Sequence, residues 1–322
     1  LDLIQASLRG QNQLLADAHE NLAMLELAHG RYDAAITLLR RVLQIRQSQV
    51  GDLPITLGAT MVALASALEQ QGSFAEAIRL YDQATSWFRD KYGPQSPHVA
   101  LCMLNGARSI QAAGQLKEAE LVYQYALSIL KQSKETPKHY LARAYTELGL
   151  LYQAQGDYGR AQGLLQMGLT LREESLGRRH RLVAESLHGL GWNYLHQGDV
   201  PSSIPILWRA LVILESGLRL PLSEARLASL LDQQRAIEES IYGGLLKFPA
   251  SSELKQLAMT VALLRKGRSE DAGRRTNRST LAAPKTSAQV TRLADWKTSR
   301  AEYEQLILQG SGELSAKDYS GR

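Results

Sequence analysis

The residues whose types and spacing could do chemistry are three on one stripe: His188, Trp192 and His196, at i, i+4 and i+8 of one helical pattern. Two imidazoles could ligate a metal or carry a proton, and an indole could anchor a ligand. Two turns separate the histidines, roughly 12 Å at about 1.5 Å per residue, so they cannot share one ion. Cys102, the single cysteine, stands between Leu101 and Met103 and reads as a small buried hydrophobe, not a nucleophile. The run "RKGRS" at 265–269 could cradle a phosphate, but no strand precedes it. No HExxH, GxxxxGK[ST] or GxSxG pattern occurs. The expectation is a chain with no catalytic site, metal or cofactor of its own.

Composition narrows the class. Of 322 residues, 44% are hydrophobic, enough for a sizeable core and against global disorder. No run of 18 apolar residues could form a membrane span. The opening "LDLIQASLRG" has no signal-peptide pattern, and one cysteine suits a reducing cytoplasm. The charge is uneven: residues 264–300 carry ten Lys/Arg against three acids, a surplus of +7 where the whole chain has +5. Arguments from basic charge therefore concern Arg265, Lys266, Arg268, Arg274, Arg275 and Arg278 and their neighbours. These could meet nucleic-acid phosphates. Trp296 and Tyr303 are not interleaved with them, so a solvated helix face is the plainer reading.

The elements that position these residues repeat. Glycines stand at 30, 72, 114, 156 and 198, a constant period of 42. Five residues later come Ala35, Ala77, Ala119, Ala161 and Ser203; seven residues earlier come Ala23, Ala65, Ala107, Gly149 and Gly191. Twelve later come Val42, Ala84, Ala126, Gly168 and Ala210. Apolar residues at helical spacing flank each glycine, so each unit reads as helix, tight turn, helix. The small columns let the paired helices approach closely. The fold expected is all-α: an α-solenoid over 1–220, then a non-repeat helical segment over 221–322. Residues 1–9 fall in register with the end of a second helix, which would open the chain inside an earlier repeat. In the fifth unit, Pro205 is too deep for a helix beginning at Val200, so a start near Ser202 is expected. Beyond Arg219 the period is lost, and helical patterns cover about 222–246, 251–276 and 286–309.

The stretches "LASALEQQGSFAEAIRLYDQA" and "LGLLYQAQGDYGRAQGLLQMGL", joined through "YGPQSPHVA", resemble tetratricopeptide repeats of the kinesin-light-chain type. That resemblance implies a right-handed superhelix with a concave groove lined by first helices. The groove positions are Glu20, Asn21, Met24, Asn105, Arg108, Gln111, Arg143, Glu147, His188, Trp192 and His196. Asn21 and Asn105 occupy a column where such repeats carry a backbone-holding asparagine, but Ala63, Glu147 and Gly189 interrupt it. The alternative for Trp192 is packing on the helix over 222–246. Further on, "LLRKGRSEDA" at 263–272 and "ADWKTSRAEYEQLILQG" resemble the segment between repeats and peptidase in bacterial CHAT proteins, caspase-like proteases of bacterial defence. Gly267 would break the helix there and give it a turn of its own. This resemblance implies that 1–322 is the sensing, autoinhibitory part and that a peptidase follows Arg322. A freestanding adaptor for a partner peptide and a scaffold touching RNA are the alternatives. The partner expected is a protein or peptide, the chain's own peptidase included, and not a membrane.

Overall fold

The computed structural model describes the backbone of residues 2–48, 56–132, 136–218 and 224–276, and the side chains within these spans except at 2–11, 224–226 and 266–276. Among these residues every regular element is a helix. In order they are α1 (Asp2–Ala28), α2 (Tyr32–Gln47), α3 (Thr56–Gln71), α4 (Phe74–Tyr92), α5 (Pro97–Ala112) and α6 (Leu116–Gln132). Then come α7 (Lys138–Ala154), α8 (Tyr158–Leu176), α9 (Arg181–Gln197), α10 (Val200–Leu218), α11 (Glu224–Lys247) and α12 (Ser252–Thr276). They group into two compact units, Leu1–Leu171 and Arg172–Arg322, divided within α8.

The turn glycines set the pairing. Each of the five has positive φ, between 71° at Gly30 and 90° at Gly72. In every case the glycine N–H donates to the carbonyl three residues back, and the next N–H to the carbonyl four before the glycine. Gly72 bonds Glu69 at 3.0 Å and Ser73 bonds Leu68 at 2.8 Å; Gly198 bonds Leu195 at 3.1 Å and Asp199 bonds Tyr194 at 2.9 Å. This double closure needs a left-handed residue, which glycine takes without steric cost. The residue after the glycine is already the N-cap of the next helix: Ala77 N–H reaches Ser73 O and Ala119 N–H reaches Gln115 O. A connection this short forces antiparallel neighbours.

In the first unit successive helices pack in order, and first helices also touch one another, α3 on α5 and α5 on α7. The small columns lie in these contacts: Ala35, Ala77, Ala119 and Ala161 are fully buried, as are Ala23, Ala65 and Ala107. Where the latter column turns to glycine the approach is closer still. A Cβ on Gly149 would sit 2.9 Å from Leu165 Cγ. Leu39, Leu64, Leu68 and Tyr81 fill the space beside these contacts. Cys102 is 2% exposed, and burial pushes its thiol up to about 12, so it is inert core.

In the second unit α10 packs on α9 and α11, and α12 packs on α10 and α11. The glycine close approach recurs, with a Cβ on Gly191 only 2.7 Å from Leu207 Cγ. Contact grouping thus joins α9 and α10 to the two following helices, whereas repeat register places the boundary near 220.

Three sequence expectations are corrected. First, α1 runs unbroken from Asp2 to Ala28, so no turn sets residues 1–9 apart as the end of an earlier helix. The segment has no proline, and its one interior glycine, Gly10, costs a helix only about 1 kcal/mol. Second, α10 begins at Val200 and carries Pro205 inside it. Asp199 caps the start, its Oδ1 accepting from Ser202 N–H at 3.2 Å. The bond that Pro205 cannot make would have ended on the carbonyl of Pro201, an exposed first-turn residue whose carbonyl water can serve. Third, α12 continues through Gly267 to Thr276, so that glycine neither ends a helix nor makes a turn. The helix expected over 286–309, with Trp296, Ala301, Tyr303 and Leu306, lies outside the described residues, as does the phosphate cradle's side-chain geometry beyond Arg265.

Candidate partner-binding faces

On the first unit, one face of α3, α5 and α7 carries a linked polar row. Arg108 on α5 grips Glu69 on α3 through two bonds, Nε to Oε1 at 2.6 Å and Nη2 to Oε2 at 3.1 Å. Arg143 on α7 donates to Glu147 Oε1 at 2.7 Å and, with its Nη2, to Asn105 Oδ1 on α5. The row lies over two tyrosines. Tyr81 O–H donates to Glu69 and Tyr123 O–H to Gln111, both at 3.3 Å and both twelve residues apart in sequence. Burial pushes both phenols well above their ordinary range, so they stay protonated donors. Burial works against the Arg108 charge, but the bonds and charge of Glu69 outweigh it and raise its pKa. The pair takes two of the five guanidinium N–H donors, and the Arg108 side chain remains 42% exposed. Two arginines and two glutamates make the row neutral in sum but sharply polar.

The same face of α1 differs. Glu20 turns toward Arg46 of α2, accepting at 2.8 Å, while Asn21 and Met24 are exposed. Arg46 itself is 1% exposed and also bonds Asp17, the Thr60 hydroxyl and the Thr56 carbonyl. Burial opposes its charge, and the bonds to Glu20 and Asp17 more than restore it. In the second unit Arg172, sixteen residues after its turn glycine as Arg46 is after Gly30, does the same. It donates to Leu182 O at 2.8 Å and Ser186 Oγ at 2.9 Å. Each arginine therefore ties one repeat to the start of the next. Sequence reading passed over both; an arginine followed fourteen residues later by Thr or Ser was the available signal.

In the second unit the stripe of α9 faces α11, which packs beside α9 as α7 packs beside α5. His188 bonds Ser240 through Nε2 at 2.8 Å, and burial lowers its pKa to about 4. Trp192 and His196 touch, with ring centroids 3.7 Å apart and planes tilted by 30°. Together with Leu195 they form one wall of a cavity of about 450 Å³. The opposite wall is Ala236, Glu239, Ser240, Gly243, Gly244 and Lys247 of α11. So Trp192 does pack toward the helix that follows the repeats, and His188 is taken up by it. The two histidines do not converge, and no cluster of metal-ligating side chains occurs among the described residues.

The structure thus brings together Asn105, Arg108, Gln111, Arg143 and Glu147 on one unit, and His188, Trp192 and His196 on the other. Of the basic patch, Arg265 is described: it is 73% exposed and 4.0 Å from Glu238. The side chains of Lys266, Arg268, Arg274 and Arg275, and all of Arg278, lie outside the described residues. No described helix is long and apolar enough to cross a membrane.

Family models described as tetratricopeptide repeat match residues 15–52, 56–132 and 140–216. Several solved structures are similar. Kinesin-light-chain-type TPR-like repeats from Podosopora anserina are 23% identical with a TM-score of 0.50, covering 63% of this chain and 97% of that one. The apo form of RapI is 16% identical with a TM-score of 0.56, covering 95% and 99%. A Rap protein complexed with competence and sporulation factor is 14% identical with a TM-score of 0.54, covering 78% and 75%. At these identities the likeness is one of fold. No curated relative matches the chain.

Proposed function

We propose that this chain, built of tetratricopeptide repeats, is a docking module that holds a polypeptide partner on the polar row of α3, α5 and α7. Such repeats are protein-interaction modules, and a Rap protein of the same fold is complexed with competence and sporulation factor. The observation that carries the reading is the fixing of Arg108 and Arg143 by carboxylates on the row itself. Each guanidinium is held in one orientation, with donors left over for backbone carbonyls or a carboxylate of a partner. Orientation paid in advance by the fold lowers the entropy cost of binding. The row is neutral in sum, so the contact should depend on hydrogen-bond geometry more than on net charge, and only weakly on salt.

The test is selection of a displayed library of short peptides on the immobilised chain, with Arg108→Gln and Arg143→Gln measured beside it. Each variant should weaken one class of the selected peptides by about 1–2 kcal/mol while the array stays folded by circular dichroism. Undiminished binding by both variants would sink the proposal.

A finer reading makes this module the sensing part of a caspase-like protease of the CHAT kind in bacterial defence. Its support is the resemblance at 263–272 and in the segment carrying Ala301 and Leu306. The coding sequence past Arg322 decides it. An α/β pattern with a His/Cys pair is the expected finding; its absence removes the protease and leaves the docking module, whose test is independent.

A further inference from the structure

The cavity between α9 and α11 has features that packing within the second unit does not account for. The two helices run parallel in register: His188 meets Ser240, and a Cβ on Gly244 would meet Leu195 at 3.0 Å. Gly244 is therefore small because α9 is close. Gly243 is not. It lies within α11 and lines the cavity, and a Cβ added there would meet nothing within 4 Å. Glycine is the poorest helix former after proline, so its place here brings the helix no gain. Openness alone would not mark it, since Gly163 of α8 is as open. The cavity beside Gly243 does.

The walls have a chemical order. In the middle stand the Trp192 indole, in contact with the His196 ring, and the bare backbone of Gly243. At one end is Glu239, exposed; at the other is Lys247, exposed, with Nζ 3.4 Å from His196 O. Eight residues of helix separate the two charges, roughly 12 Å at about 1.5 Å per residue. A helix, about 10–12 Å across, is too wide for a cleft between two helices already in contact. An extended strand is narrow enough, and at about 3.3 Å per residue it covers the same span in four steps. Residues i, i+2 and i+4 of a strand share one face. We propose that this cleft binds an extended segment of a partner protein with a large apolar residue against Trp192 and Gly243, a basic residue two positions away over Glu239, and an acidic residue two positions away on the other side over Lys247.

This site is separate from the polar row of the first unit, and one experiment tells them apart. A displayed library of short randomised peptides is selected on the full chain, and the enriched peptides are measured against variants. Peptides with a large apolar residue between opposite charges, each two positions away, should be enriched. They should bind Gly243→Leu at least tenfold more weakly, because the added side chain enters the cleft from a Cβ that meets nothing within 4 Å. The double variant Glu239→Lys/Lys247→Glu should select peptides with the two charges exchanged. The same peptides should bind Arg108→Gln and Arg143→Gln unchanged. A selection in which no enriched peptide carries the charge pattern, or in which those that carry it are indifferent to Gly243→Leu, would overturn the proposal. A thermal midpoint for Gly243→Leu at or above that of the parent shows that any loss of binding is not loss of fold.

Discussion

Arg108 and Trp192 occupy the same position of their repeats, six residues before the turn glycine, and meet opposite surroundings. Arg108 lies beside Glu69 with its side chain 42% exposed. Trp192 faces a following helix. The surrounding residues change in step. On α3, α5 and α7 the row is charged and mutually bonded. On α9 it is aromatic and neutral, with His188 held uncharged against Ser240. One helical frame supports both, so the repeat fixes where a side chain points and the neighbour decides what it can be. Charge is stable where water still reaches it; imidazole and indole suit a wall brought close to another helix.

The sharpest way to break this comparison is to disturb what the regions share. Arg46 and Arg172 occupy one column and make the same pair of bonds to a carbonyl and a hydroxyl of the next repeat. Arg46→Ala and Arg172→Ala should each cost about 3 kcal/mol, by leaving a cavity and orphaning buried polar groups. Urea unfolding followed by hydrogen exchange in α2–α3 and in α8–α9 measures the two. A cost confined to one of them would mean that the clamps are not equivalent.

Acid separates the regions instead. His188 has a folded pKa of about 4 against 6.5 unfolded. The contribution of its neutral form is complete above pH 6.5 and is lost as pH falls toward 4, about 2 kcal/mol of it by pH 5. Protection factors in α9 and α11 should therefore fall between pH 7 and 5 while those in α3 and α5 change little. His188→Asn should flatten that response, and a wild-type protein already flat over this range would count against a buried neutral imidazole. The smallest effect is at the open row. Arg108→Gln should cost about 1 kcal/mol of stability, since Glu69 keeps the Tyr81 hydroxyl and the lost pair is partly exposed. A much larger loss would make the row structural.

The helix pairs were legible because their causes are local and periodic. A positive-φ glycine every 42 residues and an alanine buried five places later are readable in one dimension. Helices α11 and α12 were legible to within about two residues for the same reason. What escaped depends on partners distant in sequence. Arg46 looks like a surface arginine until Asp17, Glu20 and Thr60 surround it. Arg108 and Arg143 were found as groove positions, but their pairing with Glu69 and Asn105, close to forty residues away, was not. Pro205 was misjudged because propensity rules treat a missing N–H as fatal, whereas a solvent-exposed first turn tolerates it. Gly267 was overread, since a single glycine weakens a helix without ending it.

The equal spacing of the turns makes length itself adjustable. Residues 73–114, from just after one turn glycine through the next, number 42. Excising them would join α3 to α6 across an intact turn. Tyr123 would then stand opposite Glu69 where Tyr81 stands now, and Ala119 would fill the place of Ala77. The chain is in that sense written in interchangeable words, and a shortened or lengthened array is one deletion or duplication away. The polar row, which relies on Arg108 and Asn105, would be lost in the excision while the scaffold survived, so the length of the array and the proposed docking surface can vary independently.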